Sequence, residues 1–361
     1  MKIFRFTPLI FLLLDACIDP MQVPLESSGS LMVVDGMITN EPGPYTVKLF
    51  YSSNLENSSR LPEPISNAKV SIINSLNETE TLNETSSGVY ESTVGGMQGV
   101  VGLSYYLKIV TAKGEYQSAP QVMMPAGNLD NLYFEFSPEE IVTNTRLVDA
   151  FNLFVDSHGA ASDPNLYRWR WTGVYKVKTY PELYTKGDPP YPAPWPCSGY
   201  INYGGSLTRI ADCTCCICWV TAYSSTSNVS DSRFTNGYEF KKILVGSIPI
   251  TARHFYERYH VEVEQLSVSE EVHNFWDLVA KQQAARGSLF QPNAVRVNGN
   301  VKNVDNPKER ALGVFSVSAI SKKAIFLEPK DIPYTVPAID QLPYPCLDVF
   351  GNATMDKPGF W

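Results

Sequence analysis

The sequence predicts a mainly β protein: an N-terminal immunoglobulin-like β-sandwich, then a larger β-rich domain with one packed amphipathic helix. Three observations carry this expectation. Short runs of alternating apolar and polar residues recur along the chain, separated by Gly, Pro and Asn turn chemistry. A single stretch, 268–286, has helical periodicity. The 361 residues are 44% hydrophobic and only 18% charged, enough apolar material for a real core. Tyr 20, Pro 26 and Gly 23 fit an extracytoplasmic β-rich chain. The net charge of −8 argues against nucleic-acid binding, which calls for a basic face.

Residues 1–16 read as an address. Lys2 and Arg5 precede the apolar run Pro8 to Leu14, which is too short for a membrane-spanning helix of roughly 20 residues. Leu14-Asp15-Ala16-Cys17 then reads as a lipobox, in which Cys17 takes fatty-acyl (palmitate) chains and becomes the new N-terminus. Asp15 departs from the small or uncharged residue usual there. Acyl chains would hold the protein at a membrane at about 0.8 kcal/mol per buried methylene. Residues 17–30 form the anchor and tether.

The first sandwich is expected over 31–126. Leu31 to Ile38 is a strand, Asn40-Glu41-Pro42-Gly43-Pro44 a turn, and Tyr45-Thr46-Val47-Lys48-Leu49 an alternating strand. Ala68 to Ile72 alternates likewise, and 105–116 carries a hairpin signal. The second domain is expected over 127–361, with strands at 128–137, 151–156 and 255–264. In 167–178, period 2 places Tyr167, Trp169, Trp171, Tyr175 and Val177 on a buried face and Arg168, Arg170, Lys176 and Lys178 on a wet basic one. Residues 181–205 read as a long Pro-aromatic loop. The helix 268–286 presents Val272, Phe275, Trp276, Val279 and Ala280 on one side, with a capping box at Ser267 and Glu270 and Gly287 at its C-terminal end.

Six cysteines follow Cys17: Cys197, Cys213, Cys215, Cys216, Cys218 and Cys346. An even number in an exported chain favours disulfides, and sequence cannot choose among the 15 pairings of six Cys. Four Cys within 213–218 cannot easily wrap one tetrahedral ion. On a strand, Cys213 and Cys215 would share one face and Cys216 and Cys218 the other, with Cys197 and Cys346 as distant partners.

No metal or cofactor is expected. His158, His254, His260 and His273 are scattered, with His254 and His260 about 20 Å apart if both lie on one strand. The phosphate-loop, dinucleotide and nucleophile-elbow motifs are absent. The chain is accordingly read as non-enzymatic. Tyr184, Tyr191, Trp195, Tyr200 and Tyr203, set among prolines, form a candidate binding surface, since rings on stiff loops suit sugar faces or a protein groove.

Several segments together carry a family resemblance. They are Leu31-Met32-Val33-Val34-Asp35-Gly36-Met37-Ile38-Thr39, the Pro-Gly-Pro turn with Tyr45 to Leu49, Pro64 to Val70, the Cys213–Cys218 cluster, Phe275-Trp276, Gly287 to Phe290, Gly299-Asn300-Val301 and Leu312 to Ser318. The chain resembles the domain-of-unknown-function 4249 family of outer-membrane lipoproteins, often encoded beside TonB-dependent outer-membrane transporters. The resemblance implies a cell-envelope accessory role, with such a transporter as partner, and supplies no functional residues; the ring surface would take a glycan or peptide ligand. A stand-alone glycan-binding or adhesin-like lipoprotein is the alternative.

Overall fold

The computed structural model describes residues 30–52, 62–142, 147–160, 164–184, 193–230, 235–236, 238–284, 297–339 and 341–361. The protein is mainly β, with several sheets and two helices. The expected leader, Cys17 and all of the expected tether but Ser30 lie outside the described residues.

The first layer is one eleven-stranded sheet among the described residues. Its path runs Val301–Asn303, Gly114–Ser118, Ser104–Thr111, Lys69–Asn74, Thr79–Ser86, Val89–Glu91, Thr46–Tyr51, Met32–Thr39 and Leu312–Ser318. Two-residue strands at Glu63–Pro64 and Gln121–Val122 pair off this path. Alternation drives the register: Tyr45, Val47 and Leu49 point into the core, as do Tyr105, Leu107 and Ile109. The two ends of the path meet. Ala311 N donates to Val301 O at 2.9 Å, and Gln121 Nε2 donates to Phe315 O at 3.0 Å.

Residues 31–126 do not complete this layer by themselves. Leu312–Ser318 runs parallel to Met32–Thr39, pairing Val33 with Leu312 through Thr39 with Ser318. Val301–Asn303 pairs with Gly114–Ser118. Val301, Ala311, Phe315, Val317 and Ala319 sit in the same core as Val34 and Leu107. Gly313 permits the parallel contact: its φ is +76°, and a Cβ there would strike Val34 O.

A second core lies between two further sheets. One runs Asn128–Val142, Leu147–His158, Glu239–Pro249, Thr235–Asn236. The other runs Ile320–Leu327, Tyr259–Ser267, Tyr167–Lys178, Ile217–Tyr223, Ala353–Thr354, with Asn228–Val229 beside Tyr167–Lys178. Phe151, Leu153 and Val155 from the first face Tyr167, Trp169, Val261 and Val263 from the second. Gly246 leaves room for the Trp171 indole, which a Cβ would overlap. The expected strand at 255–264 begins later, at Tyr259, because 252–257 is a series of turns and bends; His254 therefore lies off the strand that carries His260.

The aromatic face of 167–178 is buried as expected, but its basic face is not simply wet. Arg168 lies 3.7 Å from the Trp276 ring of the helix, and Arg170 pairs with Glu264 on the neighbouring strand. Burial, and then the like charge of Arg170, pull the Arg168 guanidinium down to about 10.

The helix spans Glu270–Ala284. Its cap is Ser269 rather than Ser267: Ser269 Oγ accepts from Val272 N at 3.4 Å and donates to Gln121 Oε1 at 2.9 Å. Ser267 instead ends the preceding strand, with its hydroxyl donating to Met124 O at 2.6 Å. Gly287 lies outside the described residues.

The halves are joined firmly. Ala319 alone separates Leu312–Ser318, in the first layer, from Ile320–Leu327, in the second. Gln265 Nε2 donates to Ala126 O at 2.6 Å while Gln265 Oε1 accepts from the buried Trp169 indole at 2.7 Å. Lys322 reaches back to Glu41 at 2.6 Å.

Candidate functional site

The six cysteines pair as Cys197–Cys215, Cys213–Cys216 and Cys218–Cys346, with Cα atoms 5.7, 5.8 and 6.0 Å apart. The strand starts only at Ile217, so the expected strand-face alternation across 213–216 does not occur. The segment bends instead, which lets Cys213 and Cys216 meet across a single turn. All six sulfurs are engaged in bonds and are not free thiolate ligands.

This cluster clamps the foot of a hairpin. The backbone descends from Lys178, where Thr179 N donates to Cys216 O at 2.8 Å. It passes through the tight turns Pro181–Leu183 and Pro196–Ser198, and left-handed Gly199 then redirects it. Tyr200–Tyr203 pairs with Ser206–Arg209 around Gly204 and Gly205, whose φ values are +57° and +87°. Two positive φ values in a two-residue loop match the twist of a tight hairpin. Ile210 N and Ala211 N both donate to Gly199 O, and Thr214 N donates to Cys197 O at 2.9 Å. Cys346 N donates to Cys215 O at 2.9 Å, tying the C-terminal region to the same cluster.

The five sequence-predicted ring residues separate into groups. Tyr184 and Trp195 come together, centroids 5.2 Å apart, and Tyr184 also meets Tyr344 at 5.8 Å. Tyr200 and Tyr203 lie on a strand rather than in a loop, Tyr200 at its base and Tyr203 at its tip, 78% exposed. Tyr191 lies outside the described residues.

Sequence reasoning missed Ile201 (41% exposed), Leu207 (44%) and Ile210 (63%), which add apolar surface to the ribbon and its foot. The Gly204-Gly205 pair between short runs was the available hairpin signal. Register places Ile201 and Tyr203 on one face and Leu207 on the other, so both faces of the ribbon present apolar side chains to solvent. Its charge is sparse: Arg209 pairs with Asp212 at the foot.

Elsewhere, a cleft of about 640 Å³ lies where the halves meet, lined by His158, Asn40, Gly127 and Ser321 among others. Both ring nitrogens of His158 are engaged, Nδ1 with Asp130 at 2.8 Å and Nε2 with Asn128 at 3.1 Å. Among the described residues, no group of three or more His, Cys, Asp or Glu is arranged to hold a metal, and no helix is long and apolar enough to cross a membrane.

The β-rich body thus carries a disulfide-braced ribbon that exposes apolar side chains on both faces. The chain belongs to the family described as Domain of unknown function (DUF4249), whose model matches residues 18–324. Comparison with curated proteins finds none that matches.

Proposed function

We propose that this chain is an outer-membrane lipoprotein, anchored through Cys17, that serves without catalysis as an accessory or ligand-presenting partner of a TonB-dependent transporter. One observation carries the reading: the hairpin Tyr200–Arg209 stands on two disulfides and exposes Ile201, Tyr203 and Leu207 on opposite faces. A soluble domain gains nothing from a stiffened ribbon that holds apolar side chains in solvent. A partner surface does, because bracing removes ordering entropy before binding and rings supply contact area. Among the described residues no third strand joins the two-stranded ribbon, which suits addition to another sheet.

The test is purification from membranes in mild detergent. A stoichiometric β-barrel partner is expected with the wild-type chain. Ile201→Asp with Tyr203→Asp is expected to abolish its capture while thermal unfolding is unchanged, since both side chains are exposed. Cys17→Ser is expected to release the protein from membranes. Recovery of the chain with no barrel, together with binding to a glycan array, would replace this reading with the stand-alone glycan binder.

A further inference from the structure

A second cavity, of about 210 Å³, opens beside the cluster of disulfides. Its lining is chemically one-sided. Lys178 and Arg253 supply two cations, Tyr180 and Tyr256 supply rings, and Val177 and Leu342 supply aliphatic surface. No carboxylate belongs to the lining among the described residues, and neither cation has an ion-pair partner there. Lys178 Nζ stands 5.1 Å from the Tyr180 ring, and the Arg253 guanidinium 5.9 Å from that of Phe350. These ring contacts leave the charge of both groups unneutralised. Burial first, and then the charge of Arg253, hold the neighbouring His254 imidazole down at about 4.

The walls are fixed in advance. Lys178 ends a central strand and pairs with Ile217, one residue from the Cys218–Cys346 bridge. Tyr180 N donates to Leu342 O at 2.8 Å, joining the two sides. Both cations line one small cavity without a carboxylate among the described residues, so an anion seated there would be drawn to two charges at once. The volume is below the roughly 300–1,000 Å³ of drug-sized sites, which limits the guest to a small molecule or the end of a larger one.

We propose that this cavity binds a small organic carboxylate with an apolar or aromatic body, its anionic head held by Lys178 and Arg253 and its body against Tyr180, Tyr256 and Leu342. The site is distinct from the hairpin, and the inference holds whether or not a transporter partner is found.

The experiment is calorimetric titration of the purified, disulfide-intact chain with 3-phenylpropionate, its neutral amide 3-phenylpropionamide, and inorganic phosphate. Saturable binding of the carboxylate is expected. The amide, and each of Lys178→Met and Arg253→Gln, should weaken binding about tenfold, the worth of one charge-assisted contact. Tyr256→Ala should weaken the carboxylate and leave phosphate unchanged. Both cations reach solvent, and unaltered thermal unfolding of the variants will show that they fold. Absence of carboxylate binding, equal binding of the amide, or unchanged affinity in both charge variants overturns the proposal. Phosphate binding as tightly as the carboxylate overturns the apolar-body part. Asp340 lies between two lining residues in the sequence; binding that appears only in Asp340→Asn would mean that the chain already supplies its own anion, and overturns the proposal as well.

Discussion

Glu264 shows how single residues tie the two halves together. Its carboxylate meets Arg170 from the adjacent strand and Lys322 at 3.0 Å, and Lys322 also holds Glu41 of the first layer. Burial raises the Glu264 carboxyl, but the charges of Arg170 and Lys322 outweigh it and leave the group below its ordinary 4.5. A carboxyl depressed in the folded state contributes stability that is complete above its unfolded value and is lost as pH falls through the folded one. Resistance to denaturant should therefore weaken as pH is lowered below about 4.5. Glu264→Gln should lose stability at pH 7 and show a smaller further loss on acidification. An equal acid-dependent loss in wild type and variant would remove Glu264 from this role. None of this was visible in the sequence, where Arg168 and Arg170 appear only as polar alternates to Trp169. Alternation reports which face a residue occupies. It does not report that a helix residue, Trp276, covers that face.

Among the elements, the three disulfides differ in what they constrain. Cys213–Cys216 closes a separation of 3 residues and Cys218–Cys346 one of 128. The chain-entropy relation gives about 2 kcal/mol for the short loop and about 5 kcal/mol for the long one. Cys218→Ala with Cys346→Ala should accordingly lower the denaturation midpoint far more than Cys213→Ala with Cys216→Ala. The short bridge should instead govern the foot of the hairpin, read as faster proteolysis at 200–209 with little change in global unfolding. Equal midpoint losses for both pairs would contradict the assignment. Elements with strong local signals were legible: Tyr45, Val47 and Leu49, or Tyr105, Leu107 and Ile109, announce their buried face by period 2. The helix was legible from its apolar spacing, yet its cap was misplaced by two residues because Ser267 and Ser269 are equally good caps until tertiary partners claim one of them. The hairpin is short and exposed on both sides, so it lacks the periodicity that burial imposes, and only its Gly204-Gly205 turn marks it. The cavity of Lys178 and Arg253 had no local signal at all, since its walls are far apart in the chain.

At the scale of the whole molecule, the first layer depends on strands that arrive late. Val301, Phe315 and Val317 are fully buried in the core built by 32–126. Burying each such side chain is worth about 1.5–3 kcal/mol, so their loss exceeds what a small sheet can spare. A fragment of residues 30–127 should therefore fail to give a cooperative unfolding transition. Adding a peptide of residues 297–320 in trans should restore some ordered β signal. A cooperatively folded fragment would show the first layer to be self-sufficient. This closure was not legible in the sequence, because strand pairing over so long a separation leaves no mark in the pattern of either strand: Leu31 to Ile38 and Leu312 to Ser318 each look like ordinary β segments.

That parallel seam between Met32–Thr39 and Leu312–Ser318 also sets an order of events. A polypeptide is made from its beginning, so Val33 and its neighbours exist long before the strand that will lie against them. Throughout that interval one border of the nascent sheet stays open, and an open border is where identical chains recruit each other. The first strand of the sheet to be made is thus among the last to be sealed.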